Sequence, residues 1–346
     1  MKGAHKALLA CVFVIAMAVS ASGCVAPPSQ KTLTIFNAGS LSKPFKEIGT
    51  AFEKENPGVT VQQQSAGSVE TVKKVSSLNQ SADVVATSDW IPVAQYLYPN
   101  FTKWYGKFAS NTMVIAYTNK SKYADEINST NWYQILTRPD VQVGRSNPNS
   151  DPNGYRTLMV WELAQTYYNN ATLYNQLLNH APNKNMREKE TDLIAPLQSG
   201  QLDYAWNYES TARQNNLSYV SLRPQLNLGD PAYQSFYQTV NATSAGRQVN
   251  GSLIEYGITV PNNAQNPDLG QKFVAFVLGP EGSAIMANNS QPVIHPMQVT
   301  GTVPPLLAPY ATTATTTPAL ATAVATGAVP ANVTKTTAAT SSSASH

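Results

Sequence analysis

The body of this chain has no cysteine to work with. Of the two in the sequence, Cys11 and Cys24, both lie near the N-terminus. Disulfides, thiolate catalysis and cysteine metal sites are therefore excluded from the folded part. Histidine is almost as scarce. Only His180 and His295 fall in the body; His180 ends a helical stretch before Ala-Pro, and His295 sits in VIHP. The sequence contains no GxSxG, HExxH, GxGxxG or P-loop pattern, so the common nucleophile, zinc and nucleotide signatures are all missing. Charge of one sign is also missing. The formal net charge is +3, and setting aside Lys2 and Lys6 leaves +1, which is no electrostatic footprint for nucleic acid.

The two ends carry clear composition signals. Lys2 and Lys6 precede a twelve-residue apolar run, Leu8 to Val19, too short to span a membrane and typical of a signal-peptide core. Ala21-Ser22-Gly23-Cys24 follows, as in a lipobox. The expectation is a signal peptide over 1–23, a lipid on Cys24 holding the protein at the outer face of the membrane, and a linker over 24–30. Ten Asn-x-Ser/Thr sequons, among them Asn79, Asn128 and Asn250, fit an extracytoplasmic, glycosylated archaeal protein. From Gly301 the chain turns to Thr, Ala, Ser and Pro, with Lys335 as its one charged side chain. A disordered or O-glycosylated tail is expected over 301–346.

Between these ends strand and helix signals alternate. TLTIFNA reads as a strand, Ser40 to Glu55 as a helix with Leu41, Phe45, Ile48 and Phe52 on one face, and Pro57-Gly58 as its stop. VTVQQQ is the next strand, and Val69, Val72, Val75 and Leu78 mark the next helix face. Ala82 to Thr87, MVIAYT from Met113 and YGITVP from Tyr256 read as further strands. The alternation predicts an α/β fold with mainly parallel sheets covered by helices. It divides into lobe 1, 31–112 plus 262–300, and lobe 2, 113–261, joined by two crossing strands with a ligand cleft between the lobes.

Two small-residue junctions stand where a strand gives way to a helix: NAGSL, with Gly39 and Ser40, and SAGSV, with Ser68. A helix N-terminus offers free N–H donors and the positive end of the helix dipole, so it binds anions without a cationic side chain. Serine is equally a preferred helix cap, and each turn taken singly is explained by capping. Successive strand–helix units would bring the two turns to the same cleft edge.

The segments FNAGSL, SAGSV, ADVVATSDW, DPNGYR, KETDLIAPLQSGQLDYAWNYESTARQ, LNLGDP and YGITVPNNAQNP together resemble, in order and across the body, the archaeal-type molybdate/tungstate-binding proteins of ABC transporters. The resemblance implies a two-lobed periplasmic-binding-protein fold of the type II, Venus-flytrap kind. It implies a tetrahedral oxyanion in the cleft, with two carboxylates approaching the metal centre of that anion. Carried over, Gly39, Ser40 and Ser68 supply hydroxyl and amide donors, and Asp151 is one carboxylate, its loop continuing through Pro152 and Asn153. The second is assigned to Glu209 in NYES. Asn207, two positions earlier, is the alternative, in which case a ligand has been lost. Carboxylates are hard donors suited to a d⁰ metal and repel sulfate. Taken alone, Glu209 reads as a first-turn helix residue at the favourable end of the dipole.

The implied protein is not an enzyme and needs no cofactor. Its partners are the oxyanion, an ABC permease and, through the lipid, the membrane, and it acts as a monomer. Arg156 reads as a partner for a neighbouring carboxylate, and Lys43 as an exposed first-turn residue. Trp90, Trp104, Trp132, Trp161 and Trp206 read as core rather than a sugar platform. A binding protein for sulfate, thiosulfate or phosphate is the rival within the class, and a cell-surface enzyme or adhesion module the rival outside it.

Overall fold

The computed structural model describes residues 30–313. The signal peptide, Cys24 and the tail from 314 on lie outside the described residues. The chain builds part of one sheet, leaves it to build a second, and returns. It begins with β1 (Lys31–Ala38), β2 (Val59–Ala66), β3 (Val84–Thr87) and β4 (Trp104–Ser110). The second lobe holds β5 (Met113–Tyr117), β6 (Val143–Ser146), β7 (Met186–Arg187), β8 (Tyr204–Tyr208) and β9 (Ser218–Ser221), plus a hairpin of β10 (Asn241–Ser244) and β11 (Arg247–Asn250). The return adds β12 (Glu255–Thr259), β13 (Val293–Gly301) and β14 (Ala311–Thr313). The first sheet runs β14-β13-β4-β12-β3-β1-β2 and the second β7-β6-β8-β5-β9.

Alternation along the strands fills both faces of the first sheet. Val84 and Ala86 join Leu33 and Ile35 in one cluster, which receives Phe45, Ile48 and Phe52 from the helix Ser42–Glu55. Val85 and Phe36 point the other way, toward Val72 and Val75 of the helix Ser68–Ser76. A strand buried on both faces reads as a continuous apolar run, and β3 is VVAT. All five tryptophans are core residues, none more than 9% exposed. Trp132, Trp161 and Trp206 meet edge to face behind the second sheet.

Four expectations are corrected. The sheets are mixed rather than mainly parallel: β1 pairs in parallel with β2 and β3, but β12 enters antiparallel between β3 and β4. The same pairing places Glu255–Thr259 in lobe 1, not in a second lobe running to 261. MVIAYT and YGITVP are thus interior strands of different sheets; the chain crosses at Asn111–Thr112 and near Ile254, where the Asn111 N–H donates to the Ile254 carbonyl at 3.3 Å. Leu78 is 64% exposed because its helix stops at Ser76. Finally, the tail does not begin at 301. Pro305–Tyr310 forms a 3₁₀ turn that buries Leu307 in the lobe 1 core, and β14 pairs with β13, Met297 opposite Ala311. Leu307 supplies the apolar contact that the surrounding Thr- and Pro-rich composition masks.

Candidate functional site

The register of the first sheet brings the two serine turns together. β1 and β2 are parallel neighbours with Ala38 opposite Ala66. The turn Gly39–Leu41 and the helix beginning at Ser68 therefore leave the same sheet edge side by side. Neither serine is a cap. The cap positions belong to Ala38 and Gly67, and no side chain caps either segment. Both serines are buried, and their hydroxyls take protons from other groups: Ser40 Oγ accepts from the Tyr256 phenol at 3.1 Å, and Ser68 Oγ accepts the Ser88 N–H at 3.0 Å. Ser88 follows β3, the other parallel neighbour of β1.

The second lobe faces this edge with acid. Asp151 stands at the N-cap of the helix Pro152–Tyr167, with Pro152 at its first position, yet its carboxylate makes no capping bond. Instead Asp151 Oδ2 accepts the backbone N–H of Glu190 at 2.9 Å. Both carboxylates are 1% exposed. Burial pushes the Asp151 carboxyl up to about 6, against the pull of hydrogen bonds from Glu190 and Ser146. Burial and the Asp151 charge push Glu190 well above the usual carboxylate range. Glu190 Oε1 and the Tyr208 hydroxyl are buried with no hydrogen-bond partner among the described residues. Two acids held in contact, with an unpaired oxygen and an unpaired phenol beside them, are expensive unless something completes them.

The lobes are closed over these groups. The Val69 N–H donates across the cleft to the Ser150 carbonyl at 3.0 Å. A methyl group on Gly67 would lie 2.4 Å from that same oxygen, and one on Gly39 would lie 2.8 Å from Thr191 Oγ1. Only glycine permits these approaches. The Glu190 charge reaches Tyr256, whose ring lies 6.4 Å from that of Tyr208. Ser40, Tyr256, Tyr208, Glu190 and Asp151 thus form one connected group across the cleft. One open hollow, lined by Val69, Lys73, Ser150 and Glu188, lies at the outer rim of this seam, and that lined by Phe52, Lys272 and Tyr310 lies elsewhere.

Of the residues expected at the site, Gly39, Ser40, Ser68 and Asp151 come to the cleft. Pro152 sets the first turn behind Asp151. Asn153 is fully buried, but its amide is held by Ser146 at 3.4 Å and lies 3.6 Å from Met113 Sδ. Glu209 is held by other partners. It begins the helix Glu209–Gln214, pairs with Arg213 at 2.7 Å, and accepts from Thr112 Oγ1 at 3.0 Å on a side chain 29% exposed. The Tyr219 hydroxyl donates to the same carboxylate at 3.4 Å. Asn207 is buried, and its amide donates to the backbone carbonyl of Glu190 at 3.4 Å.

Glu190 and Tyr208 are the residues that sequence reasoning missed. Both lie within the long KETD…STARQ segment, but a glutamate opening a helical turn looks the same whether it faces solvent or a cleft. Arg156 and Lys43 behave as expected. Arg156 forms a fully buried ion pair with Asp89 of the other lobe, 2.5 Å at closest approach, and Lys43 pairs on the surface with Glu47.

Comparison with known proteins shows the family and the fold. Residues 33–289 match the family described as bacterial extracellular solute-binding protein. An uncharacterized solute-binding protein of Petrotoga mobilis is 47% identical over 76% of this chain and 84% of its own. A protein named molybdate/tungstate-binding protein WtpA, of Thermococcus kodakarensis, is 40% identical over 84% of this chain and 92% of its own. Among solved structures, the periplasmic molybdate-binding protein of Azotobacter vinelandii superposes with a TM-score of 0.54 at 14% identity, over 75% of this chain and 98% of that one. This last likeness speaks for the fold alone.

Proposed function

The chain belongs to the bacterial extracellular solute-binding protein family, and from that premise we propose that it captures molybdate or tungstate between its lobes and delivers it to an ABC permease. Members of the family bind solutes and are not enzymes. The observation that carries the reading is the Asp151–Glu190 pair, buried in the closed cleft with Glu190 Oε1 unpartnered. The names of the relatives point the same way.

The division of labour follows from the chemistry of the donors. Ser40, Ser68 and the N–H groups of their turns donate to the oxo groups of the anion. Asp151 and Glu190 turn carboxylate oxygens toward the metal centre, which as a d⁰ ion accepts further hard donors. Sulfate has no such centre to offer, so the same two charges repel it. Closure removes water from all of these contacts and strengthens them. The Val69 to Ser150 hydrogen bond holds the closed state only when the lobes meet, so the bound anion and the lobe contact reinforce each other. The protein works as a monomer held to the outer face of the membrane by a lipid on Cys24. Replacing Cys24 with Ser should release it or leave an uncleaved precursor, and retention like the parent's would argue against the anchor.

Calorimetric titration with tungstate, molybdate, sulfate and phosphate tests the reading. Tungstate and molybdate should bind at least a hundredfold more tightly than sulfate. Glu190→Gln should collapse the tungstate-to-sulfate ratio, and Glu209→Ala should leave it within about twofold, since Glu209 faces Arg213 and solvent. Sulfate or phosphate bound as tightly as tungstate would overturn the reading in favour of another oxyanion.

A further inference from the structure

We propose that Tyr256 is a positioning residue that fixes the Ser40 hydroxyl as an obligate hydrogen-bond donor to the bound anion. The inference rests on the oxyanion reading given above and concerns how one of its donors is set.

A serine hydroxyl in water turns freely and donates or accepts at will. Around Ser40 the protein removes that choice, through two side-chain amides whose orientations are fixed by backbone groups. Asn111 Oδ1 accepts the backbone N–H groups of Thr112 at 2.9 Å and Ser210 at 3.4 Å. Its Nδ2 must therefore face the other way, where it donates to the Tyr256 hydroxyl and to Ser210 Oγ, both at 2.7 Å. Gln291 Nε2 lies 2.9 Å from the Ser40 carbonyl, which only an N–H can satisfy. The same nitrogen is 3.1 Å from the Tyr256 hydroxyl. Its second N–H is shared between that hydroxyl and Ser210 Oγ, 3.3 Å away, so the phenol oxygen receives one N–H from Asn111 and a shared one from Gln291, two amides that cannot be flipped. Its single proton goes to the remaining neighbour, Ser40 Oγ, at 3.1 Å.

Ser40 Oγ has then accepted one proton and must send its own elsewhere. No protein acceptor for that proton is found among the described residues, and Ser40 sits in the turn that meets the opposite lobe. An oxo group of the anion is the acceptor the arrangement calls for. Burial keeps the phenol in the protonated form that the chain of bonds requires, pushing its pKa up to about 12. All four side chains are nearly or fully buried, Asn111 being the most open at 6%. A hydroxyl oriented before the ligand arrives avoids the ordering penalty that a freely rotating one would incur on binding.

A double-mutant cycle on the full protein reads this directly, with tungstate affinity measured by calorimetry in the parent, Tyr256→Phe, Ser40→Ala and the double variant. Tyr256→Phe should weaken tungstate binding about five- to tenfold when Ser40 is present, and less than twofold when Ser40 is already alanine. Gln291→Leu, which removes one of the two N–H groups fixing the phenol, should give a smaller loss that Ser40→Ala also erases, and it serves if the phenylalanine variant does not fold. Equal losses in both backgrounds would mean that Tyr256 acts by packing alone, and no loss in either would mean that Ser40 needs no orientation; each overturns the proposal. A parent that binds neither tungstate nor molybdate overturns the oxyanion reading and this inference with it.

Discussion

Replacing Asp151 with asparagine should make the ligand-free protein more stable at neutral pH while spoiling its site. The carboxyl is 1% exposed and lies against Glu190, and its pKa rises from 3.8 to about 6 on folding. That rise corresponds to about 3 kcal/mol favouring the neutral form in the fold. Because the folded value lies above the unfolded one, the favourable contribution is complete below pH 4. It is lost as pH climbs toward 6, and above 6 the folded protein carries the full penalty of a buried charge. Asparagine is neutral throughout and keeps an oxygen for the Glu190 N–H. At pH 7.5 the variant should gain up to about 3 kcal/mol, the ceiling being set by lobe opening, which rehydrates the pair. For a protein of this size that amounts to about 6–12 °C in Tm. Glu190→Gln should act in the same direction, since burial and Asp151 push its carboxyl up as well. Thermal unfolding of anion-free parent and variant at pH 7.5 and pH 4 measures the effect, which should appear at the first and fade at the second. A variant no more stable than the parent at pH 7.5, or equally stabilised at both, would refute the claim that a buried like-charge pair burdens the empty site.

Three further outcomes follow from other contacts. Gly67→Ala places a methyl group 2.4 Å from the Ser150 carbonyl, so it should weaken anion binding more than tenfold by obstructing lobe closure while changing the Tm of the anion-free protein little; titration and melting together check this. Asp89→Ala leaves the Arg156 guanidinium buried without its carboxylate, and should destabilise the protein by about 3–5 kcal/mol in denaturant unfolding. Leu307→Ala, in a segment outside the expected body, should be destabilising by about 2–5 kcal/mol because Leu307 is fully buried in lobe 1; a chain ending at Gly301 should melt lower still.

Much of this protein was legible in one dimension because its signals are local. The apolar period of Phe45, Ile48 and Phe52, the buried run VVAT and the strand-to-helix turns at Gly39 and Gly67 depend on neighbours within a few residues. So the α/β class, the two sheets and the pairing of the two serine turns at one sheet edge could be read directly. The expectations that failed depend on a distant partner. The place of β12 in the first sheet is fixed by hydrogen bonds to β3 and β4, well over a hundred residues earlier. Leu307 is core only because β13 and the helix Pro267–Leu278 lie beneath it. The two candidates for the second acid differ in the same way. Glu190 and Glu209 both open helical turns, and nothing within a few residues of either says which faces water. The fold pairs Glu209 with Arg213, and it brings the backbone N–H of Glu190 to 2.9 Å from the Asp151 carboxylate, 39 residues away along the chain, with the Glu190 side chain buried beside it. Burial and charge proximity are what single out Glu190 for the proposed role, and both are properties of the packed chain, not of its sequence.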